Sequence, residues 1–221
     1  MNVIDALNSR HSVRAFKSEP VEKETIARIA ALATRAPSWG NTQPWEIFVA
    51  GGEPLERLRK AFLERFEQGV PIQPDLPRPQ NWPPALQQRM AESQARRYAA
   101  VGMDANDAAA KRASSRRNFE FFDAPLVVYL CMDRTLTPWS IFDLGAAAQS
   151  LMLAAQEYGV DSVPAVNLVG YPDLIRAELG IPDSLMIVIG IALGYGDTDQ
   201  LINQYRSQRR PVDEVVRFRG L

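Results

Sequence analysis

The chain has 221 residues, 46% of them hydrophobic, and a formal net charge of −1, which is enough apolar material for one large domain and excludes wholesale disorder. That balance also excludes the basic footprint of a nucleic-acid binder, so no nucleic-acid partner is expected. A single cysteine, Cys131, excludes an internal disulfide, and a single histidine, His11, excludes zinc sites built from several imidazoles, so no metal is expected.

The first residues carry no positive stretch followed by an apolar one, so no signal peptide is expected, and a reducing, cytoplasmic setting fits the cysteine usage. Residues 2–9 predict a short amphipathic helix with Val3, Ile4 and Leu7 on one face. A stronger helix follows Pro20, with Ile26, Ile29, Ala30 and Ala33 repeating at helical spacing. It ends in RAPSWGNTQPW, Arg35 to Trp45, where turn residues alone account for Pro37, Gly40 and Asn41. They do not account for two tryptophans and two amides. WEIFVA then reads as a strand, with Trp45 as core, and residues 53–69 as a helix with Leu55, Leu58, Phe62 and Phe66 inward.

Between Pro71 and Pro84 six of fourteen residues are proline, which prevents regular structure. Residues 85–118 read as one or two polar helices with thin apolar faces. Such a segment builds no core of its own, so the chain reads as one domain, 1–221, carrying a helical lid excursion at about 70–118. Beyond it APLVVYLCMD is a buried strand, with Cys131 as inert core. Pro138 to Gly159 is a helix apolar on nearly every side, and such a helix must be surrounded. Asp143 within it is read as a packing group rather than a catalytic acid. YPDLIRAELGI is a further helix, LMIVIGIALG a central strand, and the remainder a polar tail. The expected class is α+β, in the order αα-β-α-(insert)-β-α-α-β. The longest apolar stretch, Ile141 to Ala155, is too short to span a bilayer, so no membrane partner is expected.

RHSVRAF, Arg10 to Phe16, sets Arg10, Ser12 and Arg14 on one face if the segment is extended. Two guanidiniums and a hydroxyl suit a phosphate and an adjoining anionic group. Arg209 and Arg210 precede Pro211 far downstream. No Walker sequence or G-x-S-x-G is present, and GYGDTD lacks the third glycine of a dinucleotide fingerprint. Redox or group-transfer chemistry therefore needs a bound cofactor.

Taken in order, RHSVRAF, RAPSWGNTQPWEIFV, the buried helix after APLVV, the IALGYGD strand end and the late RRP resemble the nitroreductase family of FMN-dependent oxidoreductases. The likeness covers nearly the whole chain outside residues 70–118, and it is greatest to larger members with a helical excursion over the active site. It implies a mixed sheet flanked by helices, in a domain-exchanged homodimer with shared active sites. It further implies FMN as cofactor, NADH or NADPH as donor, and ping-pong transfer of two electrons to a nitroaromatic or quinone-like acceptor. Reduction of an activated C=C bond, reductive dehalogenation, and flavin binding without turnover are the alternatives. Carried over by position, Arg10, Ser12 and Arg209 would bind the FMN phosphate, with His11 in the same turn. Arg14 would face the pyrimidine edge, where reduction leaves negative charge. Pro37, Ser38, Trp39, Asn41 and Gln43 would wall the flavin of the partner. Pro164, Ala165 and Val166 would run along the ring, with Gly194 allowing close approach. Trp39 stands where the family usually has a small polar residue. With Trp82, Tyr98 and Phe119 of the excursion it forms the expected acceptor surface, beside the candidate cations Arg96, Arg97, Arg116 and Arg117.

Overall fold

Every residue of Leu126 to Met132 is buried, and the reason is alternation on a strand covered from both sides. Val127, Tyr129 and Cys131 enter one core, and Leu126, Val128, Leu130 and Met132 enter the other. This strand lies inside the antiparallel sheet of the computed structural model, which describes residues 1–220. Leu221, the end of the polar tail, lies outside the described residues. The strands are β1 (Glu46–Gly51), β2 (Leu126–Asp133), β3 (Asp161–Ala165) and β4 (Leu185–Gly194), ordered β1-β2-β4-β3. All three pairings are antiparallel. The expected mixed sheet is present only as one parallel bridge, Ser12 to Ser162, by which the RHSVRAF segment joins the far edge.

On one face lie α3 (Gly52–Glu67), α5 (Ala108–Phe119) and α7 (Pro172–Leu179), contributing Leu55, Leu58, Phe62, Phe119 and Ile175. On the other lie α2 (Lys23–Ala33) and α6 (Pro138–Glu157), contributing Ile26, Ile29, Ala33, Leu144, Ala147, Leu151 and Ala155. Each such side chain contributes roughly 1.5–3 kcal/mol when fully buried. Cys131 is buried too, and that burial raises its thiol pKa to about 12. No helix among the described residues is long and apolar enough to cross a membrane.

Three expectations need correction. Strand β3 is missing from the sequence reading because it is short and contains Pro164, which suits only the edge of a sheet. In α1 (Val3–Ser9) it is Ala6 that packs inward, whereas Val3, Ile4 and Leu7 face solvent. The polar tail holds two one-turn helices, α8 (Leu201–Gln204) and α9 (Val212–Val215), and α8 carries the buried Asn203.

The 70–118 segment divides into three parts. Residues 70–77 form a strap fastened to the body. The Gln73 N–H donates to Gly170 O at 2.8 Å, and the Tyr171 hydroxyl donates to Val70 O at 2.8 Å. Asp75 pairs with Arg176 at 2.6 Å and Arg134 at 2.9 Å and accepts from the Ile187 N–H at 2.8 Å. Gly170 is required here, because an added Cβ would lie 2.7 Å from the Ile72 side chain. Helix α5 is equally fixed: Arg112 and Arg116 pair with Glu67, and Phe119 stacks on Phe66 at 4.6 Å. Helix α4 (Pro84–Ala100) buries only Tyr98 and is otherwise an exposed arm.

Candidate functional site

The RHSVRAF segment is held extended from both ends. The Val13 N–H donates to Ser162 O at 3.1 Å, and the Phe16 N–H donates to Phe122 O at 3.2 Å. Val13 is thereby buried while Ser12 and Arg14 point the other way, as alternation requires. They open into a cleft of about 590 Å³ lined by His11, Ser12, Arg14, Tyr205, Ser207 and one face of α4. That volume lies in the range of small-molecule and cofactor sites.

Asn203 positions this segment. Its Nδ2 donates to Ala15 O at 2.7 Å and Asp197 O at 2.8 Å, and its Oδ1 accepts from the Arg14 N–H at 2.8 Å. The ring nitrogens of His11 lie 3.0 Å from the carbonyl oxygens of Ser9 and Asn203. His11 therefore clips the turn to α8. Asn203 belongs to no motif, and the one available signal was an amide in a short helical turn of an otherwise polar tail.

Electrostatically the cleft is unbalanced. Arg14 makes no ion pair among the described residues, and its side-chain bond goes to Ser12 O at 3.1 Å. Its pKa falls to about 10, first because it is buried and then because Arg97 repels it. Arg10 is likewise unpaired among the described residues, and burial followed by repulsion from Arg209 lowers its pKa. Arg209 donates to Ser207 O and Oγ at 3.1 and 2.7 Å, which ties it to a residue of the cleft wall. Two pairs of neighbouring arginines without carboxylates make an anion-binding arrangement.

The Pro37–Gln43 loop does not reach this cleft within one chain. It is nevertheless ordered: the Trp39 N–H donates to Asp143 Oδ2 at 3.1 Å, and the Gln43 N–H donates to Ser38 Oγ at 3.0 Å. Buried Asp143 thus serves as an anchor for the loop. Gly40, Asn41 and Gln43 have φ of 56°, 58° and 48°, a left-handed run that glycine and asparagine accept readily and glutamine does not. Trp39 is 64% exposed and meets Trp139 edge to face at 5.3 Å.

The remaining expected site residues separate. Val166 and Trp82 share an open cleft of about 900 Å³ with Ile72 and Arg78. Pro164 and Ala165 are half-buried in the edge strand. Gly194 meets a packing need of its own, since an added Cβ would lie 2.6 Å from the Pro125 ring. Phe119 is core and cannot meet an acceptor. Tyr98 is the buried residue of α4, with the Arg97 guanidinium 5.7 Å from its ring centre. Arg116 and Arg117 are consumed by Glu67, Glu120 and Asp123, and Arg96 pairs with Glu92 at 3.8 Å. Of the four candidate cations only Arg97 lines the cleft.

Known proteins share this fold. The nitrobenzene nitroreductase of Ectopseudomonas oleovorans is 33% identical, over 97% of this chain and 95% of its own. A crystal structure of the FMN- and NADPH-dependent nitroreductase NfnB from Sphigopyxis sp. strain HMH superposes with a TM-score of 0.95 at 33% identity, covering both chains fully. The FMN-dependent NfnB of Mycobacterium smegmatis, solved in complex with NADPH, superposes at 0.92 with 31% identity, covering 99% of this chain and 100% of its own. The sequence model of the nitroreductase family matches residues 7–195, from the middle of α1 to the end of β4. With its arginine cleft, its outward aromatic loop and a matching fold over the full chain, this protein belongs to the nitroreductase family.

Proposed function

We propose that the protein is an FMN-dependent oxidoreductase that passes two electrons from NAD(P)H to a nitroaromatic or quinone-like acceptor, working as a homodimer. The observation that carries this reading is the cleft in which Ser12 and Arg14 stand beside the Arg10–Arg209 pair with no carboxylate to neutralise them. This donor set fits a phosphorylated cofactor whose ring edge becomes anionic on reduction. Bound there, FMN supplies the two-electron exchange between nicotinamide and acceptor.

The roles of the chain follow from its geometry. Arg10 and Arg209 hold the phosphate, with the Ser12 hydroxyl beside them. Arg14, its backbone fixed by Asn203, sets a cation at the pyrimidine edge, where charge develops on reduction. Pro164 and Ala165, which follow the Ser162 bridged to Ser12, would border the ring from that edge. NADPH is the favoured donor, on the strength of the two NfnB structures described by that dinucleotide.

The partner is a second copy. Val3, Ile4 and Leu7 of α1, Trp39, and Trp139 and Phe142 of α6 are all exposed, and Phe142 is 71% exposed. So much large apolar surface marks an interface. In the dimer the Pro37–Gln43 loop walls the cleft of the other subunit.

The test is direct. The purified protein should elute as a yellow dimer with one non-covalent flavin per chain. NADPH under anaerobic conditions should bleach it, and a nitroaromatic should restore the colour with ping-pong kinetics. A colourless protein that takes up no FMN refutes the reading. A yellow protein that NADPH and NADH both leave unbleached is a flavin binder without turnover.

A further inference from the structure

Helix α4 is the least anchored element over the body, yet one of its faces is turned into the cleft. Arg89, Ser93 and Arg97 recur every fourth residue and all three line it, accompanied by Met90 and Gln94. The arm is placed over that opening by Tyr205, itself a cleft residue, whose hydroxyl donates to Ser93 O at 3.2 Å. Glu92, the nearest acidic residue on the helix, pairs instead with Arg96 on the outer side. Arg97 is half-buried, packed over the Tyr98 ring, and has no ion pair among the described residues.

We propose that Arg97 is a flavin-binding cation contributed by the excursion, set across the cleft from Arg14 to hold the pyrimidine carbonyl edge of bound FMN, where negative charge develops on reduction. The inference rests on the functional reading above and goes beyond it, because it assigns a binding role to a helix expected only to select acceptors. Arg10 and Arg209 form a separate pair on the Ser207 side, which leaves the Arg14–Arg97 pair for the opposite end of the cofactor. Two guanidiniums held together without a counter-ion repel each other, and Arg14 already loses proton affinity to Arg97. The empty protein therefore carries a repulsion that the carbonyl oxygens of the bound flavin edge relieve, and that the reduced, anionic flavin relieves further.

That repulsion gives the test two readouts of opposite sign. Arg97→Gln should weaken binding of both FMN and riboflavin to the apoprotein by about tenfold, measured by quenching of flavin fluorescence. The same substitution should raise the melting temperature of the apoprotein by about 2 °C. Arg97→Lys should retain most of the affinity, and Arg96→Gln should change neither quantity. Unchanged flavin affinity in Arg97→Gln overturns the inference, as does a fall in apoprotein stability, which would make Arg97 a structural residue. Weakened FMN with unaffected riboflavin also overturns it, by placing Arg97 at the phosphate. A wild-type protein that binds neither flavin refutes the functional reading itself, an outcome distinct from all of these.

Discussion

Replacing Asn203 by alanine removes three hydrogen bonds from a side chain that is 7% exposed. The three backbone groups left behind belong to Arg14, Ala15 and Asp197, segments that the chain brings together from its two ends. At roughly 0.5–1.5 kcal/mol each, the loss totals about 3 kcal/mol. For a protein of this size that corresponds to a fall in melting temperature of about 6–12 °C. Function should suffer with stability, because the Arg14 N–H is one of the groups released and the cation depends on that backbone for its aim. The assay is a thermal melt with and without saturating FMN, joined to a flavin titration at a temperature where the variant is folded. Asn203→Asp is the second variant. It keeps an acceptor for the Arg14 N–H but sets a carboxylate against the carbonyls of Ala15 and Asp197, so it should be no better than alanine. A melting temperature within about 2 °C of wild type in both variants, with flavin affinity intact, would refute Asn203 as the clamp of the cleft.

Alanine at both Arg10 and Arg209 should weaken FMN by at least about a hundredfold, from charge-assisted contacts of roughly 1.5–3 kcal/mol each, and leave riboflavin nearly unaffected in the same titration. Phe119→Ala should cost about 3–5 kcal/mol in urea unfolding without reordering the acceptors in a kinetic panel, because Phe119 is stacked on Phe66 in the core. Asp75 gives a pH dependence. Burial opposes its ionisation, but hydrogen bonds from Arg176, the Ile187 N–H and Arg134 outweigh that and hold its pKa below the ordinary value. Its contribution is therefore present above the unfolded-state carboxylate pKa and lost as pH falls through the lowered one. Asp75→Asn should flatten the acid limb of a stability-against-pH curve, and an unchanged limb would place the acid sensitivity elsewhere.

How much of this was legible follows from the reach of each signal. β2 and β4 declare themselves because full burial leaves a continuous apolar run, and α2 because its apolar residues keep one helical stripe. β3 does not, since its five residues include a proline and its place is set by pairing with β4. The alternation in RHSVRAF was readable, and Ser12 and Arg14 do share one side of an extended segment. The aromatics of the excursion were not. Composition treats Trp82, Tyr98 and Phe119 alike, but one lies half-open beside Val166, one is the buried residue of α4, and one is locked in the core. The arginines divide in the same way, because whether a guanidinium is free depends on carboxylates such as Glu67 and Asp123 that only tertiary structure brings near.

Asp143 shows why one chain looks unfinished. The inner side of α6 closes a core with Leu144, Ala147 and Leu151, and there Asp143 accepts the hydrogen bond that fixes the Trp39 backbone. The outer side carries Trp139 and Phe142 into solvent. A buried carboxylate and a left-handed glutamine are costly ways to shape a loop that leaves Trp39 largely exposed and does not reach the cleft of its own subunit. Rigidity of that kind brings a return only if something docks against it. The cleft has the complementary need: its floor is Ser12 and Arg14 and one wall is α4, but among the described residues His11 and Tyr205 are the aromatic side chains that line it. A flat ring held by arginines alone would be fixed in position and left open to water. In the proposed dimer the outward loop of one subunit would meet the open side of the cleft in the other, so that a second copy of the chain would satisfy both.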